Sequence, residues 1–161
     1  MSHTIVIFGA SGDLTSRKLI PALFQLFQKG RLPKDTRIVG VSRTPYTSEA
    51  WRGELAASTA KAAGATFQSD RWQEFAPLLF YQPGDAENVA DFTALRELLT
   101  QIEPGPGCTR IYYLSTLPSL YARIAGQLGA AGLADEMAGP RRIVIEKPFG
   151  ADLVSAHSLN D

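Results

Sequence analysis

A chain of 161 residues, 45% hydrophobic and 20% charged, can bury the core of one domain of common size. Its 16 basic and 16 acidic residues cancel, which argues against nucleic acid or an acidic membrane surface as a partner and leaves any anion site to be built locally. A single cysteine, Cys108, rules out a disulfide within the chain.

The opening "MSHTIVIFG" holds an apolar run too short for a secretory signal or a membrane span, so the expected compartment is the cytoplasm. His3 reads as a frayed-terminus residue. Residues 4–8 read as a first strand. The stretch that follows, "GASGDLTSRKLIPALF", has the grammar of a tight turn and then a helix. Gly9 and Gly12 let the backbone turn and approach a ligand, and the helix N-terminus beyond offers N–H groups and a positive dipole end suited to a diphosphate. By itself this is a weak signal, because many strand–helix turns carry glycines for packing. The spacing also departs from G-x-G-x-x-G, since Ser11 and Leu14 occupy its second and third glycine positions. A phosphate-binding G-x-x-x-x-G-K-[ST] loop is absent. Leu19, Leu23, Leu26 and Phe27 form the expected buried face of the first helix. Pro21 either sits in its first turn or kinks it.

Residues 37–41 read as a second strand ending in "VSRT". Dinucleotide folds that prefer NAD place an acid at this point to hold the ribose 2′-hydroxyl. Here Arg43 takes its place, flanked by Ser42 and Thr44. A guanidinium suits a 2′-phosphate through paired hydrogen bonds, and Ser11 on the glycine turn is placed to donate to the same group. Arg43 alone is compatible with a solvated surface residue. Combined with the glycine turn one strand earlier, it makes NADP the better reading.

Further along, Trp51, Leu55 and Thr59 fit a helix running towards Gly64. Residues 78–82 read as a third strand. Val89, Phe92, Leu95, Leu98 and Leu99 repeat at helical spacing until "EPGPG" stops them. Cys108 reads as a buried free thiol. Residues 110–114 form a fourth strand, Leu120, Ile124 and Leu128 mark a helix face, and residues 142–146 a fifth strand. Strand and helix in alternation predict an α/β fold: a doubly wound, Rossmann-like, mostly parallel sheet with helices on both faces and ligands at the carboxyl ends of the strands. That places Glu146, Lys147 and Pro148 at the crevice, where Lys147 can hold an anionic substrate group or orient a reacting hydroxyl. An ordinary strand end with a proline brake fits the tripeptide equally well.

The stretches "FGASGDLTSRKLIPALF", "GVSR", "YYLSTLPSLY" and "IEKPFGADLVSAHSLN" resemble glucose-6-phosphate dehydrogenase over essentially the whole chain. The resemblance implies an NADP-linked oxidoreductase of glucose metabolism, which oxidises D-glucose 6-phosphate to 6-phosphoglucono-1,5-lactone in the oxidative pentose phosphate pathway. It implies that Gly9, Ala10, Ser11, Gly12, Asp13, Leu14, Thr15 and Ser16 form the coenzyme loop, with Ser11 and Arg43 at the 2′-phosphate. Asp85 and Ala86 fall beside the adenosine half, and Tyr121 lines the coenzyme site. Lys147 touches both coenzyme and sugar, Pro148 couples the two sites, and Lys18 lies near the substrate. Two departures stand out. Thr15-Ser16 replaces the family's Ala-Lys, and Leu117-Pro118 replaces a frequent proline pair, which bears on the loop after the fourth strand.

The whole of residues 1–161 is expected to be the NADP-binding domain, with the family's larger substrate domain outside it. The general-base histidine is expected in that other domain, so no catalytic residue is assigned here and the chain alone is expected to bind NADP without turnover. His157 reads as a helix-surface residue. No metal, nucleic acid or membrane partner is expected; full-length family members form homo-oligomers. Two alternatives stay open: the coenzyme domain of another sugar oxidoreductase with an E-K-P strand end, and a non-catalytic NADP-sensing module. A short-chain dehydrogenase is excluded because none of the five tyrosines is followed by lysine in Tyr-x-x-x-Lys spacing.

Overall fold

A computed structural model describes residues 2–105 and 107–145 of the chain. Five strands form one sheet: β1 (His3–Phe8), β2 (Thr36–Ser42), β3 (Leu79–Pro83), β4 (Thr109–Leu114) and β5 (Arg141–Ile145). Every neighbouring pair is parallel, in the order β3-β2-β1-β4-β5. The α-helices among the described residues are α1 (Ile20–Gln28), α2 (Ser48–Ala63), α3 (Ser69–Phe75), α4 (Val89–Ile102) and α5 (Tyr121–Ala130). This is the doubly wound α/β arrangement expected from the alternating apolar runs, with strand bounds agreeing to within a residue or so. No helix among the described residues is long and apolar enough to cross a membrane.

Strand alternation divides the core in two. Val6, Phe8, Val39, Val41, Tyr112 and Leu114 point to one face, where they meet Phe92, Leu95 and Leu99 of α4 and Ile124 and Leu128 of α5. Ile7, Ile38, Leu79 and Tyr81 point to the other, against Ile20 and Phe24 of α1, Trp51 and Leu55 of α2, and Trp72 and Phe75 of α3. Two caps start the longer helices. The Thr47 side chain accepts from the Ala50 N–H at α2, and Asn88 accepts from the Ala90 N–H at α4.

Three expectations need correction. The face of α1 is centred on Ile20 and Phe24, while Leu19, Leu23 and Phe27 are only partly buried and Leu26 is exposed. Apolar residues cover more than half of that helix's circumference, so periodicity alone does not pick the centre. The segment before it, Thr15–Leu19, is a π-helical turn in which the Ile20 N–H reaches back five residues to the Thr15 carbonyl. Pro21 then occupies the first turn of α1, where its missing N–H costs least. Second, α3 was not foreseen. It is short, and it is held by aromatic packing of Trp72 and Phe75 on Phe24, with ring centroids 5.1 and 5.4 Å away. Third, His3 is not frayed. It is the first residue of β1, its N–H donates to the Asp35 carbonyl at 2.8 Å, and it pairs with Thr36 and Thr109 on either side. Cys108 is buried as a free thiol, as expected.

Candidate functional site

A cleft of about 880 Å³ opens at the carboxyl ends of β1, β2, β3 and β4. Four loops build its walls: the glycine turn after β1, the segment after β2, the segment after β3 and the one after β4. This is where the order of strands reverses about β1, the place where parallel sheets leave a crevice between loops that diverge to opposite faces.

The glycine turn is held from both sides. The Gly9 N–H donates to the Val41 carbonyl at 2.9 Å, and the Gly12 N–H donates to the Gly9 carbonyl at 3.0 Å. Gly9 has φ +88°, and a Cβ there would lie 2.0 Å from the Ser115 carbonyl oxygen. Glycine at this position is therefore demanded by the neighbouring strand end as well as by the turn. Gly12 is exposed on the cleft, at the start of a helical run over residues 13–28 whose N-terminus faces it. Ser11 is exposed beside it and also lines the cleft.

Arg43 projects into solvent at the cleft wall just beyond β2. Among the described residues it makes no ion pair, so its charge is available to a ligand. The strand beneath it carries Gly40, where a Cβ would meet Trp51 ring carbons at 2.6 Å. That close approach lets the Trp51 indole N–H reach the Ala10 carbonyl at 3.3 Å and brace the glycine turn from below. Tyr81 packs on Trp51 and sends its hydroxyl to the Arg43 segment. Burial pushes that hydroxyl above its ordinary pKa, the Ser42 hydrogen bond opposes the shift and Tyr46 adds to it, so Tyr81 stays protonated.

On the third wall, the Asp85 N–H donates to Asp91 Oδ2 at 2.8 Å, and Asp85 Oδ1 accepts from the Glu87 N–H at 3.0 Å. Both Asp85 and Ala86 line the cleft. An exposed Arg123–Glu87 ion pair at 2.9 Å links α5 to this loop; a pair so open to water contributes little to stability.

The structure thus brings Gly9, Ser11, Gly12, Arg43, Asp85 and Ala86 to one cleft. It places others elsewhere. Ala10 and Thr15 are buried: Ala10 receives Trp51, and the Thr15 hydroxyl donates to the Gly9 carbonyl at 3.2 Å. Asp13 and Lys18 are exposed and Leu14 half-buried, none of them on the cleft lining. Ser16 holds the turn through its hydroxyl, which donates to the Asp13 carbonyl at 3.4 Å. Tyr121 is buried in the core beside Ile124 and Leu128 and is not among the lining residues. Lys147 and Pro148, with His157, lie outside the described residues. The strand leading to them ends at Ile145, which pairs with Leu114 at the same end of the sheet as Gly9. The sequence reading missed Ser115, Thr116 and Leu117, which form the fourth wall. Their signal was a polar pair at the end of an apolar strand.

Residues 6–161 match the family model described as glucose-6-phosphate dehydrogenase, NAD binding domain. The chain belongs to this family. It is 41% identical over 159 residues to glucose-6-phosphate 1-dehydrogenase of Aggregatibacter actinomycetemcomitans, covering 97% of this chain and 32% of that protein. The enzyme of the same name from Treponema pallidum is 43% identical over 162 residues, covering 98% of this chain and 31% of its own length. Among solved structures, a glucose-6-phosphate dehydrogenase in complex with its substrate glucose 6-phosphate superposes with a TM-score of 0.82 at 30% identity, over 98% of this chain and 33% of that one. The enzyme from Mycobacterium avium gives 0.80 at 31% identity, over 99% and 33%. The chain therefore spans about a third of the length of the relatives it matches.

Proposed function

We propose that residues 1–161 are the coenzyme-binding unit of a cytoplasmic glucose-6-phosphate 1-dehydrogenase that uses NADP. The observation that carries the choice of coenzyme is Arg43, exposed on the cleft wall beside the acidic Asp85 loop and, among the described residues, without an ion-pair partner. The residues present fit a dinucleotide. A glycine turn opens onto the N-terminus of the helical run, giving a cradle for a diphosphate, and Arg43 with Ser11 gives a place for a 2′-phosphate. Asp85 and Ala86 would flank the adenosine. When bound, the dinucleotide supplies the hydride acceptor for C1 of glucose 6-phosphate, whose oxidation yields the lactone.

This chain's own residues do the holding. The walls would shield one side of the coenzyme, and Trp51 braces the glycine turn through its hydrogen bond to the Ala10 carbonyl. Lys147, following β5, would reach coenzyme and sugar together, and Lys18 would lie towards the sugar. The only histidine among the described residues, His3, starts β1 at the far end of the sheet from the cleft. The proton acceptor for the sugar C1 hydroxyl is accordingly assigned to another part of the protein. The buried, unpaired Cys108 is in keeping with a reducing compartment.

The test is titration of NADP and NAD against wild type and Arg43→Ala. Loss of a charge-assisted contact should cost NADP ~1.5–3 kcal/mol and leave NAD nearly unchanged. Equal weakening of the two coenzymes would defeat the assignment.

A further inference from the structure

Arg43 stands on a loop that one buried side chain clasps from several directions. Tyr81, on the edge strand β3, is 6% exposed, and its hydroxyl donates to the Thr44 carbonyl at 2.6 Å. A phenol has one proton to give, so the Ser42 hydroxyl, which also meets the Tyr81 oxygen, acts as donor to it. The residues immediately before and after Arg43 are thus tied to the same oxygen. The Tyr81 N–H, in turn, donates to Ser48 Oγ at 2.9 Å, where α2 begins. Tyr46 closes the loop with its ring edge-on to Tyr81, centroids 5.5 Å apart. Behind this lies Trp51, 5.4 Å from Tyr81, the same side chain that braces Ala10.

We infer that Tyr81 is a positioning residue for coenzyme choice: its hydroxyl holds the Thr44 carbonyl on one side of Arg43 and the Ser42 side chain on the other, and so sets the direction in which the guanidinium meets a 2′-phosphate. The inference rests on the NADP reading above. It adds that selectivity belongs to a unit of Arg43, Ser42, Thr44 and Tyr81, two strands of the sheet acting on one arginine. Arg43 is long and solvated, so by itself it samples many rotamers; paired recognition of a phosphate needs its base held still. The Trp51–Tyr81 contact makes the support common to both phosphate-binding loops, since Trp51 holds the glycine turn and Tyr81 the Arg43 loop.

The experiment uses Tyr81→Phe, which removes the hydroxyl and keeps the ring packing. The probes are adenosine 2′,5′-bisphosphate and adenosine 5′-phosphate, which differ only by the 2′-phosphate. Y81F should lower the preference for the bisphosphate by about three- to tenfold, the range of one lost hydrogen bond, with the 5′-phosphate affinity unchanged. In an R43A background the same substitution should leave the preference unmoved, because there is no guanidinium left to aim. Ser42→Ala should act in the same direction and add little to Y81F. Equal weakening of both probes by Y81F would mean a merely structural role and would overturn the inference, as would an effect that persists without Arg43. If wild type shows no preference, or R43A leaves it intact, the NADP reading itself fails. If R43A abolishes the preference and Y81F spares it, only the positioning role fails.

Discussion

Gly9→Ala is expected to lower stability by about 2–6 kcal/mol, the sum of ~1–3 for a side chain held at positive φ and ~1–3 for overpacking. The new methyl would sit 2.0 Å from the Ser115 oxygen and 2.8 Å from its carbonyl carbon, both backbone atoms. No rotamer change relieves a clash between a Cβ and a backbone carbonyl. The strand ends of β1 and β4 must part instead, and they are neighbours in the ladder, with Ser115 N–H bonded to the Phe8 carbonyl at 2.8 Å. Since those two strand ends form two of the cleft walls, coenzyme binding should be lost along with stability. Gly12→Ala makes the contrast. Its Cβ would meet only the Gly9 carbonyl oxygen, at 3.3 Å, and the position is exposed. Its cost to the fold should be well below that of G9A, since a shift of a few tenths of an ångström at the Gly9 carbonyl relieves the contact and the backbone at Gly12 is not at positive φ. Affinity for NADP and NAD should nevertheless fall together, because the methyl occupies the approach to the diphosphate. Thermal unfolding and coenzyme titration on both variants check this. A stable G9A protein that still binds would refute the packing argument, and G12A with unchanged affinity would remove Gly12 from the diphosphate site.

The same two glycines show what the sequence could and could not reveal. That a turn joined a strand to a helix was legible from the apolar run, the glycines and the helical spacing beyond. That Gly9 answers to Ser115, more than a hundred positions away, was not, because the demand comes from a strand that pairs only in the folded sheet. The sheet itself was readable, since five short apolar runs separated by amphipathic stretches leave few alternatives to a parallel order. Arg43 was readable as a candidate because its position relative to the second strand carries meaning in this architecture, and the fold brings it to the cleft wall. Tyr81 was invisible as its support: within "LLFYQP" it is one apolar strand position, and its hydroxyl's partners lie 37 and 39 residues earlier. Nothing in the sequence around Gly40 marks the Trp51 ring that packs against it in the fold. The π-helical turn over Thr15–Leu19 has no periodicity of its own at five residues, and it helped hide which side of α1 faces inward.

The largest hidden interaction lies at the opposite end of the sheet from the cleft. Glu103 reads in the sequence as part of a helix stop, and Arg110 as the start of a strand. In the fold they form a nearly buried ion pair, 6% and 11% exposed, with Arg110 Nη2 donating to Glu103 Oε1 at 2.7 Å and Nε to Oε2 at 3.0 Å. The Thr4 hydroxyl donates to the same carboxylate at 2.8 Å. Burial works against the charge on Glu103, but hydrogen bonds from Arg110 and Thr4 and the guanidinium charge outweigh it and hold the carboxyl below its usual range. Arg110→Ala strands that carboxylate, and removing one partner of a buried pair typically costs ~3–5 kcal/mol. The double replacement Arg110→Met with Glu103→Leu should cost far less than Arg110→Ala, since no charge is then left without a partner. The acid limb follows from the sign of the shift. A carboxyl whose folded pKa is depressed contributes stability that is present above its unfolded pKa and disappears as pH falls through the folded one. Wild type should therefore lose stability on acidification through the region at and below the ordinary carboxylate range. Glu103→Gln should be less stable at neutral pH and flatter across that region. Denaturant unfolding of the four proteins at neutral pH, repeated down the acid series for wild type and E103Q, measures both effects. An acid limb as steep in E103Q as in wild type would show that other carboxylates govern it, and a double variant as unstable as R110A would show that the pair's value lies in packing rather than in charge.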